Sequence, residues 1–426
     1  MSRVLVDSGI KWIGSLPSTW SITTVNKIFY RRKEVNDVEN PTVLSLARDG
    51  VKIRDISTNE GQLAESYDNY HKVYKDDLMI NPMDLISGAN CSLSEVEGVI
   101  SPAYINLAKK ENIYPKYYDY FFKYQYWIKA MFIHGKGVSF DNRWTMNWET
   151  MSSYKLPLPK YDEQRKIAKY LDNKCFKIDG IINDNNHEIN LLNDYKNALI
   201  TNIIINGINE TEYSSYDFFI KKIPKSYKII KFKYLLEDKV DNRGRTPELS
   251  MNNNDIPLIE LDSIGKKNPN LESCKKFISQ ESHDIYIRKD LKEGDILFAT
   301  VGATIGKTSI VGPNPNYCIA QNLVGYRFSK DNYPLFWYYY FKSKIFDYTY
   351  KRYDKGNTIN NIKISNLEQA SMLVPTYNCQ KEIANYLDRQ CSKIDEVIEY
   401  RKQIIEKLEE YKRSLIYECV TGKREV

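Results

Sequence analysis

An internal repeat constrains this chain more than any other feature of its sequence. The segment LPLPKYDEQRKIAKYLDNKCFKIDGII (156–182) returns 216 positions later as MLVPTYNCQKEIANYLDRQCSKIDEVI (372–398). The recurring positions of the first copy include Pro159, Tyr161, Gln164, Ile167, Ala168, Tyr170, Leu171, Asp172, Cys175, Lys177, Ile178 and Asp179. Weaker upstream similarity relates WIGSLPSTWSI to FIKKIPKSYKI and KDDLMIN to EGDILFA. The chain therefore consists of two tandem copies of one structural plan.

Each copy ends in a proline-free tail in which apolar residues recur at helical spacing, from Asp162 to about Ile204 and from Asn378 to about Val420. A helix of about 60 Å with such a stripe requires a partner along its length, and each tail matches the other. We therefore predict an antiparallel two-helix coiled coil; the alternative is that each tail packs on its own globular segment. The predicted seam is Ile167, Leu171, Cys175, Ile178, Ile182, Ile189, Leu192 and Leu199, with Ile383, Leu387, Cys391, Ile394, Ile398, Ile405, Leu408 and Leu415. Its polar interruptions are Asn185, Lys196, Arg401 and Lys412.

The segments before the tails mix short strand-like runs with aromatic-rich helices. VLSLARDGV, DDLMINPM and GDILFATVG are bounded by Gly, Asn, Asp and Pro, which favours strands and turns. YYDYFFKYQYWIKAMF and LFWYYYFKSKIFDYTY each follow a proline and predict one helix per copy. The expected fold class is α+β, with two pseudo-symmetric globular domains of mixed β-sheet and helix separated by the coiled coil. The predicted boundaries are 1–155 and 207–370 for the globular domains, and 156–206 and 371–426 for the long helices.

The stretch GATIGKTS (302–309) nearly spells a phosphate-binding loop. That loop needs four residues between its glycines and a helix after them, whereas here three residues separate Gly302 from Gly306. The following SIVGPNPNY contains two prolines and cannot begin a useful helix. We predict a Gly-containing turn between two strands.

Composition and charge exclude several classes of protein. Hydrophobic residues make up 42% and charged residues 27% of the 426, which is typical of a globular protein, and no apolar run has the length of a membrane span. Seven cysteines without a C-x-x-C pair suit a reducing compartment, so we expect a cytoplasmic location. The four scattered histidines (His71, His134, His187, His283) give no metal-ligand spacing. The net charge of +6 is mild, and the local basic clusters, such as RRK at Arg31, are weak evidence for nucleic acid.

A family resemblance rests on these residues. The order of variable domain, LPLP-x-x-x-EQ-x-x-IA-x-x-L, long helix and the same again resembles the specificity subunit of Type I restriction-modification enzymes. Further parts of the resemblance are the entry WIGSLPSTW, RGRTP before DIPLIELDSI, and GDILFATVGATIGK. One departure is Asn378-Cys379, which stands where the first copy has Asp162-Glu163. The departure weakens a capping or salt-bridge role there without disturbing the heptads.

The resemblance implies that each globular segment is a target recognition domain that reads half of a bipartite double-stranded DNA site. The helices would set the gap and dock two methyltransferase subunits, which in turn recruit restriction and translocase subunits. Base readout requires polar and basic side chains on exposed loops. The candidate DNA-binding residues are Arg48, Lys52, Arg54, Ser87, Asn90, Lys136, Ser139 and Arg143 in the first domain, and Arg243, Arg245, Thr246, Thr304, Lys307, Asn322, Lys355 and Asn357 in the second.

On this interpretation the chain itself is not an enzyme and carries no cofactor or metal; its partners would use S-adenosylmethionine, ATP and Mg. NPMD at Asn81 lacks the second proline and the aromatic residue of an adenine-methyltransferase motif, and no glycine-rich loop precedes it. Two alternatives stay open: a coiled-coil DNA-binding regulator or interaction scaffold, and a nucleotide-dependent enzyme.

Overall fold

The structure is a computed structural model that describes residues 3–47, 50–57, 64–83, 85, 91–136, 145–215, 222–353 and 363–426. The chain divides into two compact units, Met1–Asn185 with Lys402–Val426 and Asn186–Arg401. Across the described residues, no helix combines the length and apolarity needed to cross a bilayer. All seven cysteines lie in the described ranges, and each is a free thiol.

Short strands and a few helices form the globular part of the first unit. Its strands are β1 (Leu5–Asp7), β2 (Ser15–Pro17), β3 (Ser21–Thr24), β4 (Phe29–Arg31), β5 (Leu44–Ala47), β6 (Gly50–Ile53), β7 (His71–Val73), β8 (Leu78–Ile80), β9 (Cys91–Leu93), β10 (Gly98–Ile100), β11 (Ile105–Lys109) and β12 (Lys155–Leu158). Its short helices are α1 (Val25–Ile28), α2 (Pro115–Trp127) and α3 (Trp148–Ser152). Helix α4 (Tyr161–Asn206) begins in this unit.

The second unit is built from a comparable set of strands and helices. Its strands are β13 (Tyr213–Ser215), β14 (Lys222–Pro224), β15 (Lys228–Lys231), β16 (Leu236–Val240), β17 (Ile256–Ile259), β18 (Phe277–Ile278), β19 (Ile296–Ala299), β20 (Thr308–Ile310), β21 (Cys318–Ile319), β22 (Leu323–Phe328) and β23 (Ser371–Val374). Its helices are α5 (Gln280–Tyr286), α6 (Pro334–Lys342), α7 (Lys344–Tyr353) and α8 (Ile364–Leu367), followed by the start of α9 (Tyr377–Val420).

The central sheets of the two units have the same topology. The first is the antiparallel sheet β4-β11-β8-β9, and the second is β16-β22-β19-β20. In each unit the strand before the long helix also pairs with an early strand, β12 with β3 and β23 with β15. The internal repeat of the sequence is therefore a repeat of sheet topology, and the predicted α+β fold class is confirmed.

An aromatic helix lies in the hydrophobic core of each unit. Helices α2 and α6 both start with a proline, which needs no hydrogen-bond partner for its nitrogen at a first helical position. Tyr117, Phe121 and Phe122 of α2 and Trp337 of α6 are fully buried. These aromatic residues belong to the hydrophobic cores of their units.

The prediction of one aromatic helix in the second copy is wrong, because Ser343 divides it. Ser343 has an extended backbone, with φ −78° and ψ 152°, and ends α6. Its hydroxyl donates to the Tyr340 carbonyl at 2.6 Å, and the Phe346 amide donates to the same hydroxyl at 3.4 Å. A serine side chain can satisfy the free main-chain groups at a helix end, and this stops one helix and starts the next.

A buried glutamine at the start of each long helix explains one of the recurring residues. The Gln164 side-chain oxygen accepts from the main-chain N–H of Tyr114 at 2.9 Å, and its amide nitrogen donates to the Pro159 carbonyl at 2.9 Å. Gln380 makes the same two bonds, to the N–H of Tyr333 at 2.8 Å and to the Pro375 carbonyl at 3.0 Å. Since Tyr114 and Tyr333 immediately precede the aromatic helices, each glutamine joins a long helix to an aromatic helix.

The recurring aspartates make a second link between the same elements. The Tyr120 hydroxyl of α2 donates to Asp172 of α4 at 2.7 Å. In the second unit, the Tyr339 hydroxyl of α6 donates to Asp388 of α9 at 3.0 Å. The repeated sequence therefore encodes a repeated hydrogen-bond network.

The departure at Asn378-Cys379 removes one contact from this network. In the first unit, Glu163 accepts from the indole N–H of Trp20 at 2.9 Å and pairs with Arg3. In the second unit Cys379 stands in the place of Glu163, and the buried Tyr227 hydroxyl has no hydrogen-bond partner among the described residues. The second copy thus keeps the packing at this position without the ion pair.

We predict that Gln164→Met destabilises the first unit, because it leaves the Tyr114 N–H and the buried Pro159 carbonyl unpaired. An unsatisfied buried polar group costs about 1–3 kcal/mol, so the melting temperature of the purified chain should fall by several degrees. Gln403→Met, at an exposed position of α9, is the control and should change the melting temperature little. Equal melting curves for the two variants would contradict the role of the bridge.

Candidate nucleic-acid interface

Three segments of the second unit meet at one edge of its central sheet. Strands β16 and β19 flank β22 and run antiparallel to it, so their carboxyl ends lie at the same edge. Val240, the last residue of β16, is paired with Gly325, and Ala299, the last residue of β19, is paired with Leu323. The loop 241–246, the turn 300–307 and the residue before β22, Asn322, therefore form what we call the second-unit edge.

Six candidate DNA-binding residues lie at the second-unit edge. Arg243, Arg245 and Thr246 are exposed on the loop 241–246, and Lys307 is exposed on the turn. Thr304 and Asn322 are half-buried, and the Thr304 hydroxyl donates to the Val301 carbonyl at 2.9 Å. Lys355 and Asn357 lie outside the described residues. Loop chemistry predicts these residues one by one, and strand pairing brings their loops together.

The turn 300–307 is a β-hairpin turn between β19 and β20. The Ala299 amide donates to the Lys307 carbonyl at 3.0 Å, and Gly302 and Gly306 have φ of +67° and +94°. These positive φ values suit glycine, which lacks a Cβ. Because β20 follows Lys307 where a phosphate loop would continue as a helix, the predicted turn between strands is confirmed.

The loop 241–246 is held in place by one buried side chain and one arginine. Asn242 is 2% exposed, and its amide donates to the Ile319 carbonyl at 3.0 Å. The Arg288 guanidinium donates to the carbonyls of Asp241 at 3.1 Å and Arg243 at 3.3 Å. The backbone that carries the exposed arginines is therefore fixed from two sides.

A carboxylate orients one of these arginines. Asp241 accepts from Nε of Arg243 at 2.9 Å and from Nη2 at 2.6 Å, and also from the Arg243 main-chain N–H at 3.1 Å. Burial acts to raise the pKa of Asp241, but the hydrogen bonds and charge of Arg243 outweigh it and lower that pKa below its ordinary value. The carboxylate therefore remains ionised beside its arginine at neutral pH.

The described candidates of the first unit lie in other loops. Lys52 is exposed in β6, and Arg54 follows the β5–β6 hairpin, where its amide donates to the Val43 carbonyl at 2.8 Å. Lys136 is exposed after the turn that ends at His134. The remaining candidates, Arg48, Ser87, Asn90, Ser139 and Arg143, lie outside the described residues.

A cationic group, Arg31 with Lys33, lies at the corresponding edge of the first unit and is not among the predicted DNA-binding residues. Strands β4 and β8 both run antiparallel to β11, so the chain after Arg31 and after Ile80 leaves the same edge. Nε of Arg31 is buried and lacks a partner among the described residues, and its guanidinium lies 5.8 Å from the Trp148 ring. Burial, followed by the charges of Arg31 and Lys33, lowers the pKa of His71. The run RRK at residues 31–33 indicates this group in the sequence.

The seam positions of both long helices are buried or half-buried. Ile167 and Leu171 belong to the first core and Ile383 and Leu387 to the second, so the first turns of each helix pack on the globular part of their own unit. Farther along, the helices pack against each other within each unit. Both packing modes considered from the sequence therefore occur, at different positions along each helix.

Ion pairs join the helices at the polar seam positions. In the second unit, Lys196 contacts Asp395 and Arg401 contacts Glu188, each at 2.5 Å. Since position along α4 falls as position along α9 rises, the helices are antiparallel there. In the first unit, Lys412 contacts Asp179 at 2.5 Å, which is the repeat-related copy of the Lys196 pair. A lysine–aspartate pair therefore joins α4 and α9 at equivalent positions in both units.

A family model and two curated relatives point to the same family of proteins. The family described as "Type I restriction modification DNA specificity domain" matches residues 236–410, from the first residue of β16 into α9. The MjaVIII specificity subunit of Methanocaldococcus jannaschii is 24% identical over 83% of this chain and 81% of its own length. The EcoBI specificity subunit of Escherichia coli is 22% identical over 99% of this chain and 90% of its own.

A solved structure shares the fold. It is described as "Structural basis underlying complex assembly and conformational transition of the type I R-M system", and its chain superposes with a TM-score of 0.71 at 14% identity, covering 96% of this chain and 99% of that one. Together the comparisons confirm the predicted resemblance to the specificity subunits of Type I restriction-modification enzymes.

We predict that reversing one charge of the Lys412–Asp179 pair destabilises the helix pairing, and that reversing both restores it. The pair is partly exposed, so the coupling between Asp179→Lys and Lys412→Asp should be about 0.5–1 kcal/mol. A double-mutant cycle on the melting temperature of the purified chain measures it. Reversal of the exposed pair Glu409 and Arg413, which lies within α9, is the control. Additive effects of the two changes would show that the pair does not act across the helices.

Proposed function

We propose that this chain is the DNA sequence-specificity subunit of a Type I restriction-modification complex and is itself non-catalytic. The observation that supports this most directly is the second-unit edge, where three segments at one end of a sheet present exposed arginines and a lysine. Basic and polar side chains on fixed loops are what contact with phosphates and base edges requires. The family match over residues 236–410 covers this edge.

In this proposal each unit carries one target recognition domain, and each domain reads one half of a bipartite site. The predicted boundaries of these domains, 1–155 and 207–370, remain predictions. The paired helices set the gap between the half-sites and dock two methyltransferase subunits, through which restriction and translocase subunits join. Half-sites read from one face of B-DNA are separated by about 34 Å or a multiple of it, which a helix of some forty residues can span.

Catalysis in this proposal comes from the partner subunits, with S-adenosylmethionine, ATP and Mg as their cofactors. The sequence supports a non-catalytic role through its incomplete methyltransferase motif at Asn81 and its interrupted phosphate loop. A DNA-binding regulator without such partners is the alternative. Salt-sensitive binding to a split sequence that requires a methyltransferase partner supports the proposal, and equal binding by the chain alone supports the regulator.

We predict that Lys307→Ala weakens DNA binding by the assembled complex and leaves assembly unchanged. Lys307 is exposed at the second-unit edge, and an exposed charge contact contributes about 1 kcal/mol, so affinity should fall roughly five-fold. The slope of the logarithm of the binding constant against the logarithm of salt concentration should decrease in magnitude by about one. Lys225→Ala, at an exposed lysine paired with Glu212 outside this edge, is the control. Unchanged DNA affinity for Lys307→Ala would contradict a phosphate contact.

We predict that methylation mapping of DNA from cells that carry the complex reveals one bipartite motif. Exchange of residues 207–370 for the corresponding domain of a related subunit should change one half of this motif and preserve the other half and the gap. A change in both halves would contradict independent reading by two domains.

A further inference from the structure

The pair Asp241–Arg243 differs from the other arginine–aspartate pairs at the central sheets. Arg327 with Asp295 and Arg32 with Asp77 also make two-point contacts, but the side chains of Arg327 and Arg32 are only 13% and 19% exposed. The Arg243 side chain is 43% exposed. In the two more buried pairs the carboxylates also accept main-chain N–H groups, Asp77 from Tyr74 and Asp295 from Lys292. The third pair presents its guanidinium to solvent.

The contacts of Arg243 leave one edge of its guanidinium available. Asp241 occupies the edge formed by Nε and Nη2. The Nη1 atom makes no hydrogen bond to a described residue, so the end of the fork formed by Nη1 and Nη2 carries free donor hydrogens. Because the guanidinium is planar, the two contacts with the carboxylate fix the plane in which those donors lie.

This arrangement suits a base edge better than a phosphate. An arginine paired with an ionised carboxylate has little net charge, so its attraction for a phosphate is weak, while the direction of its donors is fixed. Guanine presents two acceptors, N7 and O6, side by side in the major groove, and they match two parallel donors. Lys307 has no such carboxylate partner among the described residues and is suited to a phosphate.

We propose that Arg243 reads a guanine in the half-site of the second target recognition domain, with Asp241 as its positioning residue. This inference rests on the proposed function. The pre-oriented guanidinium loses little side-chain freedom on contact, since Asp241 already holds it at two points. Asn242 and Arg288 fix the backbone of the loop that carries it. Arg243 supplies the direct base contact, and Asp241 acts only through Arg243.

The test uses the assembled complex with its methyltransferase subunits and a set of DNA duplexes in which each base pair of the mapped half-site is changed in turn. Arg243→Ala should reduce discrimination at one guanine position by roughly 5- to 150-fold and leave the other positions unchanged. Arg243→Gln should shift the preference at that position towards adenine, because glutamine pairs with adenine N6 and N7. Uniform weakening across all duplexes would overturn the proposal in favour of a phosphate contact.

Asp241→Asn tests the positioning role. It keeps a side chain of the same shape and removes the charge that orients the guanidinium, so discrimination at the same guanine should fall while affinity for non-specific DNA rises or stays constant. Lys225→Ala, at an exposed lysine outside the second-unit edge, is the control and should leave base preference unchanged at every position. Loss of discrimination at every position in Asp241→Asn would overturn the positioning role.

Failure of this inference is distinguishable from failure of the proposed function. If the wild-type complex shows no bipartite sequence preference, the proposed function itself fails. If the wild type shows one and Arg243→Ala retains full preference at every guanine, only the assignment of Arg243 fails. Normal assembly with the methyltransferase subunits verifies that each variant is folded.

Discussion

The buried carboxamides of Gln164 and Gln380 determine how each globular unit is put together. Each satisfies the amide in front of an aromatic helix and the carbonyl of the proline in front of a long helix. A buried amide or carbonyl without a partner is costly, so these contacts fix the two helices to each other. Because the aromatic helix lies in the core beneath the central sheet, the same contacts fix the sheet relative to the start of the long helix within its unit. The loops at the sheet edge take their position from that framework.

The sequence indicates the framework well because its signals are local or repeated. The long helices, expected from Asp162 to about Ile204 and from Asn378 to about Val420, extend over Tyr161–Asn206 and Tyr377–Val420. Their apolar period and lack of proline are properties of contiguous residues. Ser343 shows the limit of such signals, because aromatic residues are frequent on both sides of it and predict one helix, whereas its hydroxyl satisfies the ends of two helices.

The arrangement of the candidate site follows from contacts that are distant in the chain. The exposed residues of the loop 241–246 could be chosen from their chemistry, but their nearness to the turn 300–307 depends on β16 and β19 both pairing with β22. The brace from Arg288 to Asp241 and Arg243 spans more than forty residues and has no sequence signature. Packing of distant segments determines the strand order and the long-range side-chain contacts. Local periodicity and residue type do not contain this information, so the sequence alone does not predict them.

The two copies share a framework and differ at their edges. The glutamine, aspartate and lysine residues that join helices recur in both copies. The ends of the central sheets differ: Arg31 and Lys33 lie at the corresponding edge of the first unit, and Arg243 and Asp241 lie at the second-unit edge. The three arginine–aspartate pairs with two-point contacts show that such a pair can either stabilise the fold or present a cation to a ligand. Where the arginine is mostly covered, as at Arg32 and Arg327, the carboxylate of the pair also accepts a main-chain N–H of a turn. Where the arginine is exposed, as at Arg243, the carboxylate fixes the donors and leaves some of them for a ligand. The presence of an arginine–aspartate pair therefore does not by itself indicate a DNA contact. The exposure of the arginine distinguishes Arg243 from Arg32 and Arg327, whose pairs stabilise the fold.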